Sequence, residues 1–225
     1  MVSHKTPKEI LTRTISALIL APLVMFIIYL GGNFFTALIL FACIVMSLEW
    51  SKLVRNDVSN NYSKIDKTIW NVFGFMYVVI PSVCLVYIRD LEHGLTVMLW
   101  LVLSVWATDI GAYFVGTTLK GPKIFPKISP KKSWSGLVGG MISAGCVGYY
   151  FHLQTPMYHI NFYIMSFAIA LVSQIGDFIE SAIKRNFKVK DSGNLIPGHG
   201  GLMDRLDGLI TASVFVAYLE LMAGL

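Results

Sequence analysis

Asp177, Glu180, Ser181 and Lys184 stand at i, i+3, i+4 and i+7, so a helix through them carries all four on one face. Asp204 and Asp207, at i and i+3, can share a face in the same way. Carboxylate pairs backed by Lys and Arg suit a divalent cation that also holds phosphate, because Mg²⁺ takes a few carboxylates, several waters and phosphate oxygens. The intervening link supplies Lys184, Arg185, Lys188, Lys190, His199 and Arg205. It also contains Pro197-Gly198-His199-Gly200-Gly201, whose glycines permit a tight turn with backbone N–H groups close to an anion. A second link reads Lys127-Ile128-Ser129-Pro130-Lys131-Lys132-Ser133-Trp134-Ser135-Gly136. Ser133 is a favoured N-cap, and a helix N-terminus beside Lys131 and Lys132 is suited to phosphate.

The elements that must position these groups are membrane helices. Of 225 residues, 55% are apolar and 14% charged, against roughly 25% charged in an average soluble domain. The mean hydropathy is +0.65. A core able to bury that much apolar surface exceeds what this chain length allows, which excludes an ordinary cytosolic enzyme, a disordered chain and a basic nucleic-acid-binding domain. Cys43, Cys84 and Cys146 lie in apolar runs without CxxC or Cys/His spacing, and read as small buried hydrophobes. The expected class is an all-α polytopic membrane protein with about seven spans, near 14–31, 33–50, 69–88, 95–118, 134–152, 161–183 and 207–225. The first two join tightly through Gly31-Gly32-Asn33, which implies a helical hairpin and not a cleaved signal peptide.

Of the 18 Lys and Arg residues, all but Arg89 fall at the N-terminus or in the links after spans 2, 4 and 6. The positive-inside rule makes that side cytoplasmic, with the N-terminus inside and the C-terminus outside. The pI near 9.1 therefore reflects topology and not nucleic-acid binding. Ionisable groups inside a span are costly and need a reason. Asp109 lies in span 4, about 14 Å from its cytoplasmic end. Asp177 and Glu180 close span 6, and Asp204 and Asp207 open span 7, all on the cytoplasmic side.

Bland readings compete with these. Asp109 can serve an interhelical hydrogen bond or a Lys pair, and the carboxylate pairs can form a structural salt-bridge network with nearby cations. Lys120, Lys123 and Lys127 read as topology markers against anionic lipid. Glu49, beside Trp50 and Lys52, reads as an interfacial residue. Glu220 lies about 20 Å beyond Asp207, outside the site, and His152 and His159 flank Pro156 in an outer loop with no chemical role. Gly136, Gly140, Ala144 and Gly148 make a small-residue ridge for helix packing.

The stretch from Ser181 to Asp207, SAIKRNFKVKDSGNLIPGHGGLMDRLD, resembles the signature of the phosphatidate cytidylyltransferases, or CDP-diacylglycerol synthases. That signature runs S-x-x-K-R, a spacer, K-D, then H-G-G-x-x-D-R-x-D. Ser181, Lys184, Arg185, Lys190, Asp191, His199, Gly200, Gly201, Asp204, Arg205 and Asp207 match it without substitution. Asp177 in its surroundings, Asp109-Ile110-Gly111-Ala112-Tyr113-Phe114, and Ser129-Pro130-Lys131-Lys132-Ser133-Trp134 are also similar to the family. The resemblance covers about half the chain, from Asp109 onward. Members more often carry Thr at 133 and an acid at 135, where this chain has Ser, and many have more upstream helices.

The resemblance implies a single integral domain, with residues 1–94 anchoring and packing and 95–225 carrying catalysis. It implies that phosphatidate and CTP give CDP-diacylglycerol and pyrophosphate, by in-line attack of the lipid phosphate on the CTP α-phosphorus. Asp177, Asp204, Asp207, Lys184 and Arg185 are the expected catalytic residues. Asp177, Asp204, Asp207 and Glu180 are expected to hold Mg²⁺, with room for a second cation. Ser133, Lys132, Lys131, Ser181, His199, Gly200, Gly201, Arg205 and Asp109 are the expected substrate contacts. Expected partners are CTP, phosphatidate of the cytoplasmic leaflet, membrane lipid and, in a homodimer, a second copy, with no nucleic acid. The expected location is a bacterial-type inner (plasma) membrane, multi-pass, with the site facing the cytoplasm. Three rivals stand against this: a CTP-dependent polyprenol kinase, a CDP-alcohol phosphotransferase, whose D-G-x-x-A-R opening is missing its Arg after Asp207-Gly208, and an ion-coupled transporter.

Overall fold

The computed structural model describes residues 7–56, 62–156, 158–193 and 200–223, with side chains from residue 18 to 222. α1 (Pro7–Leu30) and α2 (Gly32–Arg55) form the expected hairpin, turning at Gly31. The turn is held by Arg89, which donates from Nε to the Ile28 carbonyl at 2.7 Å and from Nη2 to the Tyr29 carbonyl at 3.1 Å. The one cation outside the crowded basic links therefore satisfies carbonyls that end α1, where a positive charge is also favoured by the helix dipole. α3 (Lys64–Asp90) begins with a capping box, Ser63 Oγ accepting from the Asp66 amide and Asp66 from the Ser63 amide. α4 (Gly94–Leu119), α5 (Trp134–Gln154), α6 (Phe162–Asn186) and α7 (Met203–Ala223) complete the chain. Among the described residues there is no β-strand; Lys123 and Ser133 form an isolated antiparallel bridge.

Every described helix overlaps an expected span, but several outrun it. α2 continues to Arg55, α3 begins at Lys64, and α7 begins at Met203, four residues early, so Asp204 lies in its first turn. Four helices, α2, α3, α4 and α6, are long and apolar enough to cross a membrane on that ground alone. α5 is diluted by its glycines and α7 by its acids.

The exterior is apolar and the interior carries the polar groups, as hydrocarbon solvent demands. Phe26, Phe41, Phe75, Ile110 and Phe114 are exposed, whereas Ser104, Thr108, Ser166, Ser173 and Ser213 are buried. Trp100 donates from Nε1 to Ser166 Oγ at 2.7 Å, tying α4 to α6 inside the bundle. The ridge on α5 is a packing feature, as its spacing implied. A Cβ on Gly140 would sit 2.8 Å from the Thr108 carbonyl of α4, and one on Gly148 would run into the Phe162 carbonyl of α6. The one ridge therefore meets α4 in its first half and α6 nearer its end, both at backbone distance.

Two apolar clusters flank the polar groups. One gathers Ile88, Trp100, Leu101, Phe162 and Val216. The other gathers Trp50 and Val54 of α2, Val78 of α3, Phe187 after α6 and Met203 of α7. The second fixes the ends of α2, α3, α6 and α7 together, which is where the acids lie.

Candidate active site

The face predicted on α6 forms. Lys184 donates from Nζ to Glu180 Oε2 at 2.8 Å, one helical turn back, and to Asp204 Oδ1 at 2.6 Å across on α7. Glu180 is 0% exposed, and its other oxygen, Oε1, is buried without a hydrogen-bond partner. From the α4–α5 link, Lys132 donates to Asp177 Oδ2 at 2.5 Å and lies 4.7 Å from the Phe178 ring centre. The link is shaped by Ser133, which caps α5 by accepting from the Gly136 amide at 3.2 Å. Ser135 accepts from the Gly121 amide at 3.1 Å.

Asp109 accepts from Gln174 Nε2 at 3.5 Å, an interhelical contact from α4 to α6. That contact is the bland role weighed for it, yet Asp109 also lies within electrostatic reach of Asp177, Lys132 and Arg205. Asp207 lies within reach of Asp177, Glu180 and Asp109, and its Oδ1 accepts from the neighbouring Gly208 amide at 2.9 Å. Five carboxylates from three helices thus gather, against the three cations Lys132, Lys184 and Arg205. The formal excess is two negative charges.

Asp204 and Asp207 divide their work, where the i, i+3 spacing suggested a shared direction. Asp204 organises the link: besides Lys184, it accepts from the Ser192 amide at 3.0 Å and the Gly201 amide at 2.9 Å. Gly200 has φ +85°, a left-handed conformation that suits glycine, and Gly201 is buried. Arg185 is exposed and donates to the Val189 carbonyl at 3.1 Å, closing the turn after α6, and it forms no ion pair among the described residues. Ser181 is half-buried on α6, Lys131 is exposed, and Lys131's carbonyl accepts from Lys123 Nζ at 3.2 Å. His199 lies outside the described residues.

Two residues of the first half lie beside the cluster, one on the α7 amides and one near its acids, with no cue to this in the sequence. Glu49, expected at the interface, is 6% exposed. It accepts from the Leu202 and Met203 amides at 2.9 Å each and from Ser192 Oγ at 3.3 Å. A carboxylate of α2 therefore caps the N-terminus of α7, satisfying amides that no helical carbonyl can reach. Burial overrules the interfacial reading, because the only sequence cue was proximity to Trp50 and Lys52. Tyr77 of α3 lies within electrostatic reach of Glu180, Asp207 and Asp177, with its hydroxyl buried and unpartnered. Glu49→Gln leaves one amide facing an NH₂ group. It is expected to cost about 1–3 kcal/mol, read as a lower thermal midpoint in detergent; an unchanged midpoint would remove the capping role.

At the opposite end, Glu220 is buried and accepts from Tyr158 Oη at 3.1 Å, with His159 Nε2 at 2.9 Å. His159 therefore has a structural task that its loop position did not reveal. Burial, and then the Glu220 charge, push the Tyr158 phenol above the ordinary tyrosine range. The neutral phenol is the form the fold favours, so this contribution is complete below that range and is lost as pH rises through it. Glu220→Gln is expected to leave turnover close to wild type while bringing the alkaline unfolding transition to lower pH. A large loss of turnover would place Glu220 in the reaction.

The donor set also bears on a metal. Among the described residues, no group of three or more His, Cys, Asp or Glu side chains is placed to hold an ion by itself. Mg²⁺ needs no such cage, since it is commonly bound through one or two carboxylates, waters and substrate phosphates. A hard-oxygen donor set with a formal excess of two negative charges and a buried unpartnered Glu180 oxygen fits that shared mode.

Residues 51–222 match the cytidylyltransferase family. The chain is 35% identical over 221 residues to a phosphatidate cytidylyltransferase of Rickettsia typhi, covering 94% of this chain and 92% of that one. It is 33% identical over 229 residues to one of Rickettsia bellii, covering 98% and 94%. A phosphatidate cytidylyltransferase of Bacillus subtilis is 35% identical over 183 residues, covering 80% of this chain and 66% of its own.

Proposed function

The chain belongs to the cytidylyltransferase family, and from that premise we infer that it makes CDP-diacylglycerol and pyrophosphate from phosphatidate and CTP. The observation that carries the reading is the set of carboxylates from three helices, formally in excess over Lys132, Lys184 and Arg205. It is a nucleotidyltransferase in a polytopic helical membrane protein. A phosphate oxygen of phosphatidate forms a bond to the α-phosphorus of CTP, and the bond from that phosphorus to the bridging oxygen breaks, releasing pyrophosphate in line. The nucleophile is already ionised, so the chain's task is positioning and charge neutralisation.

Asp177 and Asp207 are the residues proposed to hold Mg²⁺, with Asp109 and the open oxygen of Glu180 beside them. Held there, Mg²⁺ would supply positive charge to offset that of the phosphates. Lys132, bonded to Asp177 from the link before α5, would meet a phosphate entering from that link. Arg205 acts on the same charges from α7. Lys184, expected among the catalytic residues, bonds Glu180 and Asp204, which supports a role in holding those carboxylates in place. Asp204 then shapes the glycine-containing link through the Ser192 and Gly201 amides. The carboxylates lie at the helix ends that carry the basic links, which supports a site facing the cytoplasm of a bacterial-type inner membrane.

Purified protein supplied with phosphatidate, CTP and Mg²⁺ tests the reading through both products. CDP-diacylglycerol with pyrophosphate is the expected outcome. A phosphorylated lipid with CDP would make the protein a CTP-dependent lipid kinase.

A further inference from the structure

A shallow cavity, apolar over most of its wall and cationic at its rim, lies between the ends of α2 and α3, outside the carboxylate site. It is half-open, holds about 420 Å³, and is lined by Leu48, Ser51, Lys52, Val54 and Arg55 of α2 and by Lys67 and Asn71 of α3. Leu48, Ser51, Lys52 and Arg55 fall at i, i+3, i+4 and i+7, one face of α2, and Lys67 and Asn71 at i and i+4, one face of α3. Three cations therefore meet across one opening, and no described acid lines it. None of the three forms an ion pair among the described residues. The acids nearest in the helices are committed elsewhere, Glu49 to the α7 amides and Asp66 to its capping box. Like charges lining one opening repel, and an anion between them offsets the repulsion.

The cavity is at the membrane end shared with the carboxylates. α2 meets α7 there through Glu49, and Asn186 Nδ2 at the end of α6 donates to Tyr62 Oη, just before α3, at 2.6 Å. Below the cations the flanking surface turns apolar, with Leu48, Val72 and Phe75 exposed. A cationic opening with an apolar flank matches a molecule that is anionic at its head and hydrocarbon below. Basic pockets between transmembrane helices hold lipid headgroups on this basis.

We propose that Lys52, Arg55 and Lys67, with Asn71 and Ser51 as neutral donors, seat the phosphate headgroup of an anionic membrane lipid. The site is separate from the carboxylate cluster and does not depend on the reaction proposed there. Its shared chemistry is phosphate, and a lipid headgroup and free phosphate are told apart by experiment.

The full chain is placed in nanodiscs of phosphatidylcholine with phosphatidylglycerol as minor component, and retained lipid is counted by native mass spectrometry. Wild type is expected to keep phosphatidylglycerol in preference. The triple variant Lys52→Gln, Arg55→Gln, Lys67→Gln is expected to lose that preference by about tenfold or more. A control that removes two exposed cations of another link, Lys120→Gln with Lys127→Gln, is expected to behave as wild type. Equal retention in wild type and the triple variant overturns the proposal, and so does equal loss in the control, which would show diffuse charge. Displacement of the retained lipid by inorganic phosphate also overturns it, since the site would then serve a soluble anion. If the triple variant does not fold, the charge reversal Lys67→Glu carries the same comparison with the same outcomes.

Discussion

Lys184→Met is expected to destabilise the protein by about 3–5 kcal/mol, because it removes one member of a buried, paired set and leaves the others charged. Lys184 is the described cation bonded to both Glu180 and Asp204, at 2.8 and 2.6 Å. Glu180 has no access to water, so its charge loses its partner outright. Asp204 retains the Ser192 and Gly201 amides, so the damage concentrates on α6. Thermal unfolding in detergent, followed by far-UV circular dichroism, reads the loss, and activity falls with it. The double variant Lys184→Met with Glu180→Gln is expected to recover part of the stability, since the stranded carboxylate is gone. A single variant within about 1 kcal/mol of wild type would show that the pair is worth no more than a surface contact.

Asp207→Asn is expected to separate activity from stability in the opposite way. Turnover should fall by about 10²–10³-fold, the scale of removing one preorganised electrostatic group at a reacting centre. The fold should be kept or slightly strengthened. Asp207 accepts from its neighbouring Gly208 amide and otherwise faces Asp177, Glu180 and Asp109, so the neutral amide relieves repulsion. Measuring pyrophosphate release from CTP and phosphatidate beside a melting curve reads both at once. Near-normal turnover would remove Asp207 from the reaction and with it the proposed cation site. Asp204→Asn is a poorer probe, because the Ser192 and Gly201 amides rely on that side chain and a loss of activity would mix chemistry with collapse of the link.

Much of this was legible before any coordinates. The i, i+4 contact of Glu180 with Lys184 follows from helix geometry alone, and so does the cap that Ser133 places on α5. The hairpin at Gly31 and the packing ridge on α5 are local patterns as well. Which lysine of the α4–α5 link would matter was not local. Lys131 and Lys132 are neighbours of the same type, and the fold turns one to Asp177 and leaves the other exposed. Lys184 and Arg185 part in the same way, one buried among carboxylates and one closing a turn at the surface.

By itself, the order of residues determined the class of molecule, the helices and the acidic faces, because hydropathy and helical periodicity act within a few turns of chain. It also carried the family's signature from Ser181 to Asp207. Only the tertiary structure brought Glu49 onto the amides of Leu202 and Met203, and Tyr77 beside the acids of α6 and α7. Those meetings span more than a hundred residues and depend on how α2 and α3 pack against α7, which is set by the shapes of Trp50, Val78, Phe187 and Met203 acting together and by no spacing within one segment.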